Sequence, residues 1–265
     1  MYSKLKTLAQ YKTLYWQLTK REVLGRYRGS ILGVFWTFIT PMFMLAVYTF
    51  FFSVIFKARW QIDTGNKFDF ALILFAGMIP YQLFSECVNK SPSVILNNVN
   101  YVKKIIFPLQ ILPWVQMSSA LFHMGINILV LLFMWLLFHG SLQWTFLLFP
   151  LVNLPLVLFC IGLMWFLASL GVYLRDIIQS ITIVTTSLLF LSPVFYSIDM
   201  IPEPYRTIVS LNPLTFIIEC NRNVLIYGIM PNWISLLMSL IISFLVAGLG
   251  YLWFQKTRKG FADVL

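Results

Sequence analysis

The side chains able to do chemistry are few in this sequence and stand apart. Its nine carboxylates, two histidines and three cysteines are scattered over 265 residues. Cys87, Cys160 and Cys220 have neither metal-ligand spacing nor the even count of a disulfide framework. His123 and His139 belong to no zinc motif, and there is no phosphate-cradling Gly-x-x-x-x-Gly-Lys-[Ser/Thr] loop, no Gly-x-Ser-x-Gly elbow and no Gly-x-Gly-x-x-Gly turn. What remains is binding chemistry. Arg26 and Arg28 are two guanidiniums of the kind that grip phosphate in a bidentate way, or that anchor a chain at a lipid surface. Lys103 and Lys104 form a basic pair, and Arg175-Asp176 a charged one. Trp36, Phe43, Tyr48, Phe50, Phe51 and Phe52 crowd one short stretch with rings.

The elements that must position these groups are membrane helices. Residues are 60% hydrophobic and 11% charged, with mean hydropathy +0.83, where a soluble domain carries about 25% charge. So few charges cannot cover a water-facing surface. The apolar excess lies in runs long enough to cross lipid, at about 31–56, 70–88, 111–138, 145–174, 177–196 and 233–254. The second is the weakest, with Pro80 inside and Glu86 near its end. The fourth, holding Pro150 and Pro155, is too long for a ~30 Å core unless it tilts, bends or protrudes. The expected fold is therefore an all-α integral membrane protein with six transmembrane helices over 31–254 and a cytoplasmic tail at 255–265.

Residues 1–30 are polar and basic, yet Leu5, Leu8, Tyr11, Tyr15 and Leu18 recur at three- and four-residue steps. This predicts an N-terminal amphipathic helix lying in the membrane interface. No secretory signal is evident. With the N-terminus inside, fourteen of the nineteen Lys and Arg fall on the cytoplasmic side, so the positive-inside rule places both ends in the cytoplasm. The net charge of +10 then reports topology and anionic lipid, not nucleic acid. Between the fifth and sixth spans, 197–232 holds Pro202, Pro204, Pro213 and Pro231 and an apolar stretch too short to cross. Short re-entrant helices fit it better than a long plain loop, with Glu219 and Arg222 paired three residues apart. His123 is the one clear mid-span ionisable group, read as a polar bond between helices. An ion-driven carrier or flippase needs an intramembrane charge relay, and none is evident. A membrane-embedded glycosyltransferase would want an aspartate motif near the surface, which Asp63, Asp69 and Asp199 do not form.

Four stretches, in order, resemble the type-2 ABC transporter permeases of the polysaccharide-export kind, which serve O-antigen, capsule and teichoic acid. They are Lys20-Arg21-Glu22 through Arg26-Tyr27-Arg28-Gly29-Ser30-Ile31-Leu32-Gly33 with Trp36 and Pro41; Phe75-Ala76-Gly77-Met78-Ile79-Pro80-Tyr81; Gly171-Val172-Tyr173-Leu174-Arg175-Asp176; and Ser192-Pro193-Val194-Phe195-Tyr196 through Ile201-Pro202 to Leu211-Asn212-Pro213-Leu214. The resemblance implies a six-span subunit of the inner (cytoplasmic) membrane that pairs as a homodimer and binds two copies of a separate ATPase. It also implies a lipid-linked polysaccharide passing between the two permease copies. No cofactor is expected in this chain; ATP and Mg would sit on the ATPase partner. A permease for a drug or another lipid stays open as an alternative.

The same resemblance assigns roles. The segment from Lys90 to Pro108 would meet the ATPase through Asn97, Asn98, Tyr101, Lys103 and Lys104, with Ser91-Pro92 as a helix start and Arg175-Asp176 as a second contact. Arg26 and Arg28 would receive a lipid phosphate. Rings among Trp36, Phe43, Tyr48 and Phe51 would line the channel, because sugar faces slide over rings and conduction needs many weak sites. Phe195, Tyr196, Asn212 and Pro213 would frame the exit.

Overall fold

The computed structural model describes residues 12–55, 68–103 and 107–265. Leu5, Leu8 and Tyr11 of the N-terminal stripe, the 56–67 connection and Lys104 lie outside them. The described residues are helical, without strands. In chain order the helices are α1 (Lys12–Gly25), α2 (Trp36–Tyr48), α3 (Asp69–Lys90), α4 (Val99–Lys103), α5 (Ile111–His139), α6 (Phe149–Tyr173), α7 (Ile177–Leu191), α8 (Glu203–Ser210), α9 (Pro213–Arg222), α10 (Trp233–Thr257) and α11 (Phe261–Val264). Five helical runs are long and apolar enough to cross a membrane: Gly33–Phe52, Asp69–Ser93, Ile111–His139, Trp144–Tyr173 and Trp233–Val264. The chain is a multi-pass membrane protein on that pattern.

The fifth predicted span is shorter than expected. α7 has 15 residues, about 22 Å at the helical rise, and ends at Leu191, not Tyr196. Ser192 precedes Pro193, and the proline ring drives its predecessor out of the helical region: Ser192 is extended, at ψ 148°. At the other flank of α6, Trp144–Leu148 forms tight three-residue turns before the α-helix opens at Phe149-Pro150. The expected helix start at Ser91 is a single tight turn without a serine cap. α3 runs to Lys90 and passes directly into a tight turn over Ser91–Ser93, and the Ser91 hydroxyl bonds back to the Cys87 carbonyl instead of capping a new helix.

α3 occupies the centre. Every residue from Asp69 to Tyr81 is buried, and α3 has the lowest hydropathy of the five runs, which marks a helix that faces protein, not lipid. α5, α6 and α9 pack around it. α6 and α10 form the tightest seam. A Cβ on Gly162 would lie 2.6 Å from the Val246 carbonyl, and one on Gly250 would fall on the Gly162 carbonyl, so two glycines let the backbones touch.

α1 docks on protein. Leu18 is buried against Ile111 and Val115 at the start of α5, and the Tyr15 hydroxyl bonds Ser118. The chain then reverses into α2 through Gly29 (φ 85°) and Gly33 (φ 51°), left-handed conformations that glycine alone adopts without strain.

Candidate functional site

α3 carries a polar stripe on an otherwise apolar helix. Gln82, Ser85, Glu86 and Asn89 stand at i, i+3, i+4 and i+7 below Tyr81, which puts them on one face. That face opens into a cavity of about 510 Å³ between α2, α3 and α5. Trp36, Tyr48, Phe75 and Tyr81 supply rings to its wall. The polar groups hold one another in place: Asn127 donates to Gln82 at 2.8 Å, Tyr81 donates to the Thr185 carbonyl, and Thr185 donates to Asn89 at 2.9 Å. These bonds tie α5, α3 and α7 around the opening. Satisfied polar groups and rings together make a wall that is wettable without fixed charge over most of its length.

One end of the cavity is charged. The Glu86 carboxylate accepts from Arg26 at 3.1 Å and from Lys90 at 3.0 Å, and stands 3.2 Å from His123 Nδ1. Tyr27 closes the group at 3.4 Å from His123 Nε2, and Lys90 reaches Glu22 of α1 at 3.9 Å. The turn after α1 thus delivers Arg26 and Tyr27 to a carboxylate on α3 and an imidazole on α5. Arg28 is exposed and outside this group. Of the four rings expected to share a path, Trp36 and Tyr48 line the cavity, while Phe43 and Phe51 are exposed and do not line it.

Beyond the charged end, several loops converge. Asn97 and Asn98 line a smaller cavity of about 190 Å³ with Arg21, Glu22 and Gln116. Tyr101 stacks on Phe107 at 4.7 Å and accepts from Arg21 at 3.4 Å. Lys103 donates to the Leu265 carbonyl. A Cβ on Gly171 would strike the Pro92 backbone, so the Ser91–Ser93 turn is pressed against the end of α6. Arg175 and Asp176 are exposed in the next turn, where their carbonyls accept the first amides of α7 at 3.2 and 3.1 Å.

The opposite end is built around Arg222, which has no exposed surface. Its guanidinium donates to the Val194 carbonyl at 2.6 Å, to Glu219 at 2.8 Å and to the Ile73 carbonyl at 3.4 Å. A Cβ on Gly77 would lie 2.7 Å from it. Asn212 caps α9 through the Leu214 amide at 3.0 Å and donates to Ser192 at 2.9 Å, with Pro213 opening the helix. Phe195 stacks between Phe190 and Phe52, and the Tyr196 hydroxyl reaches the Phe190 carbonyl at 3.0 Å. The expected exit residues therefore assemble into one joint linking α7, α9 and α3.

Glu86, Lys90 and His123 were not foreseen as a group, because they come from two helices and meet a third element. The signal that could have found them is the Gln82–Asn89 stripe, a polar face that a lipid-exposed helix would not carry.

A bundle of membrane-length helices around a partly polar cavity, charged at one end, defines a multi-pass transport protein. The ABC-2 type transporter family model matches residues 13–226, and the chain belongs to that family. It is 27% identical over 261 residues to the O-antigen export system permease protein RfbA of Myxococcus xanthus, covering 98% of both chains. It is 26% identical over 251 residues to the protein of the same name from Klebsiella pneumoniae, covering 94% of this chain and 93% of that one. The polysialic acid transport protein KpsM of Escherichia coli is 24% identical over 218 residues, covering 81% of this chain and 80% of its own.

Proposed function

We propose that this chain is the permease subunit of an ABC exporter that moves a lipid-linked, O-antigen-like polysaccharide across the inner membrane as a homodimer driven by two copies of a separate ATPase. Family membership implies an ATPase partner, and the sequence has no P-loop of its own. The substrate class comes from the relatives named for O-antigen export and polysialic acid transport. The observation that carries the reading is the cavity, where Trp36, Tyr48 and Tyr81 alternate with uncharged hydrogen-bonding groups. Rings hold sugar faces without directional bonds, and the paired amides offer many weak contacts, so a polymer is held nowhere strongly.

In this reading α7 makes the sixth crossing, and the end of the bundle holding 91–103, Arg175-Asp176 and α11 faces the cytoplasm, as the positive-inside count requires. Asn97, Asn98, Tyr101, Lys103 and Lys104 meet the ATPase, which handles ATP and its magnesium ion. α3 runs as one helix from that segment, past Pro80, to the Arg222 joint, so a push on Ser91–Ser93 is passed along it to the exit at Phe195, Tyr196, Asn212 and Pro213. Arg26, at the charged end of the cavity, receives the phosphate of the lipid carrier, and the exposed Arg28 draws it in from the surface.

The test is co-expression with the ATPase, native mass spectrometry, and surface polysaccharide measured in a strain lacking the chain. Two permeases with two ATPases, and export restored only when both subunits are present, are expected. A stable lone permease that exports unaided would overturn the reading.

A further inference from the structure

We infer that Glu86 is a resident counter-anion that holds a phosphate-binding site weak, and that an incoming phosphate oxyanion takes its place on Arg26 and Lys90. The inference rests on the proposed function for its setting, the cavity being on the substrate's path. Three groups converge on one carboxylate: Arg26 Nη1 at 3.1 Å, Lys90 Nζ at 3.0 Å and His123 Nδ1 at 3.2 Å. The arrangement is that of an oxyanion site already filled from within. Arg26 and Lys90 keep 50% and 38% of their side-chain surface exposed, against 17% for Glu86. All three line the cavity, and the cations are its more open members, so an incoming anion can reach them.

A tether between α1 and α3 would need one such pair. Here Lys90 also reaches Glu22, Arg26 also meets His123, and Tyr27 backs the imidazole. The cluster carries two cations against two carboxylates, which leaves no net charge to trap an anion. A site with bare Arg26 and Lys90 would bind a phosphate too tightly to let it pass, and conduction requires sites that release. An internal carboxylate that competes for the same donors lowers the affinity and restores the cluster after the phosphate leaves. No bond is made or broken; only ion pairs are exchanged.

The experiment uses the purified permease–ATPase complex in nanodiscs, with farnesyl diphosphate, inorganic pyrophosphate and farnesol as probes. Glu86→Gln is expected to bind farnesyl diphosphate about tenfold tighter than wild type, since a like charge a few ångströms away is removed, and to slow export. Glu86→Asp should behave as wild type, farnesol should bind both forms equally, and adding Arg26→Met to Glu86→Gln should abolish the gain. A carboxylate that merely holds the helices together would give weaker binding when removed, so unchanged or weaker binding by Glu86→Gln overturns the inference. An equal gain for inorganic pyrophosphate would keep the oxyanion site and assign it to free phosphate, whereas a gain for the prenyl ester alone assigns it to a lipid head group. Thr40→Trp, which fills the cavity from α2, separates the two readings. If it blocks export while Glu86→Gln shows no gain, only the inference fails; if it exports normally, the proposed path itself is wrong.

Discussion

A guanidinium without exposed surface must find an acceptor for its donors, and Arg222 finds three on three different segments: Glu219, the Val194 carbonyl and the Ile73 carbonyl. Removing the guanidinium leaves Glu219, still 27% exposed, and two buried carbonyls without their donor, at a cost of about 1–3 kcal/mol. Arg222→Met is therefore expected to lower the melting temperature of the purified protein sharply. Arg222→Lys should recover little, because a point charge cannot span the fork of acceptors. Gly77→Ala acts on the same joint from the opposite side, by placing a methyl where the guanidinium lies; it should destabilise by about 1–3 kcal/mol. Thermal denaturation in detergent, followed by fluorescence-detected size exclusion, compares all three. Wild-type stability in Arg222→Met would show that the joint does not hold the bundle.

At the scale of elements, the contact between Pro92 and Gly171 decides whether the segment that follows α3 can move α6 along with α3. Gly171→Ala should force the Ser91–Ser93 turn away from α6 and lower the polymer exported per ATP hydrolysed, while the ATPase still co-purifies. Gly248→Ala is the control: its Cβ meets nothing within 4 Å, and it should be no less stable than wild type, gaining up to about 1 kcal/mol from the better helix former. Charge reversal at Lys103 and Lys104 should instead weaken ATPase co-purification, and unchanged recovery would remove that segment from the interface. The glycines also show what the sequence could and could not tell. The apolar runs located α2, α3, α5, α6 and α10, because length and hydropathy are properties of one segment. The four family-like stretches identified the family, but the structural reasons for their residues are tertiary. Gly77 makes room for Arg222 and Gly171 for Pro92, contacts between residues 145 and 79 positions apart. Glu86 and His123 were each visible, yet nothing in the spacing said that Arg26 would meet both. Ser91-Pro92 misled for a local reason, since the serine hydroxyl donates to the Cys87 carbonyl of the helix behind it instead of accepting an amide at the start of a new one.

For the whole molecule, the question is which outer face meets lipid and which meets a second copy. α10 turns only apolar side chains outward at its middle, with Ile241, Leu245, Leu249 and Leu252 all exposed, and hydrocarbon covers such a face without cost. α7 is different. Gln179, Thr182 and Thr186 are exposed along it at three- and four-residue steps, and a polar stripe facing lipid is costly even where threonine hydroxyls bond back to their own helix, as Thr182 and Thr186 do. A neighbouring copy, or the wet path between copies, relieves that cost, so α7 rather than α10 should lie near the partner in the proposed homodimer. The native cysteines are all buried, which leaves an introduced surface thiol as the reactive one. Ile183→Cys, at a position 68% exposed on the α7 stripe, should form a disulfide-linked dimer when membranes are treated with a mild oxidant. Leu249→Cys, equally exposed on α10, should remain a monomer on the same non-reducing gel. Cross-linking through Leu249 with none through Ile183 would place the partner on the wrong side of the cavity for a shared path, and the two permeases would then have to conduct separately.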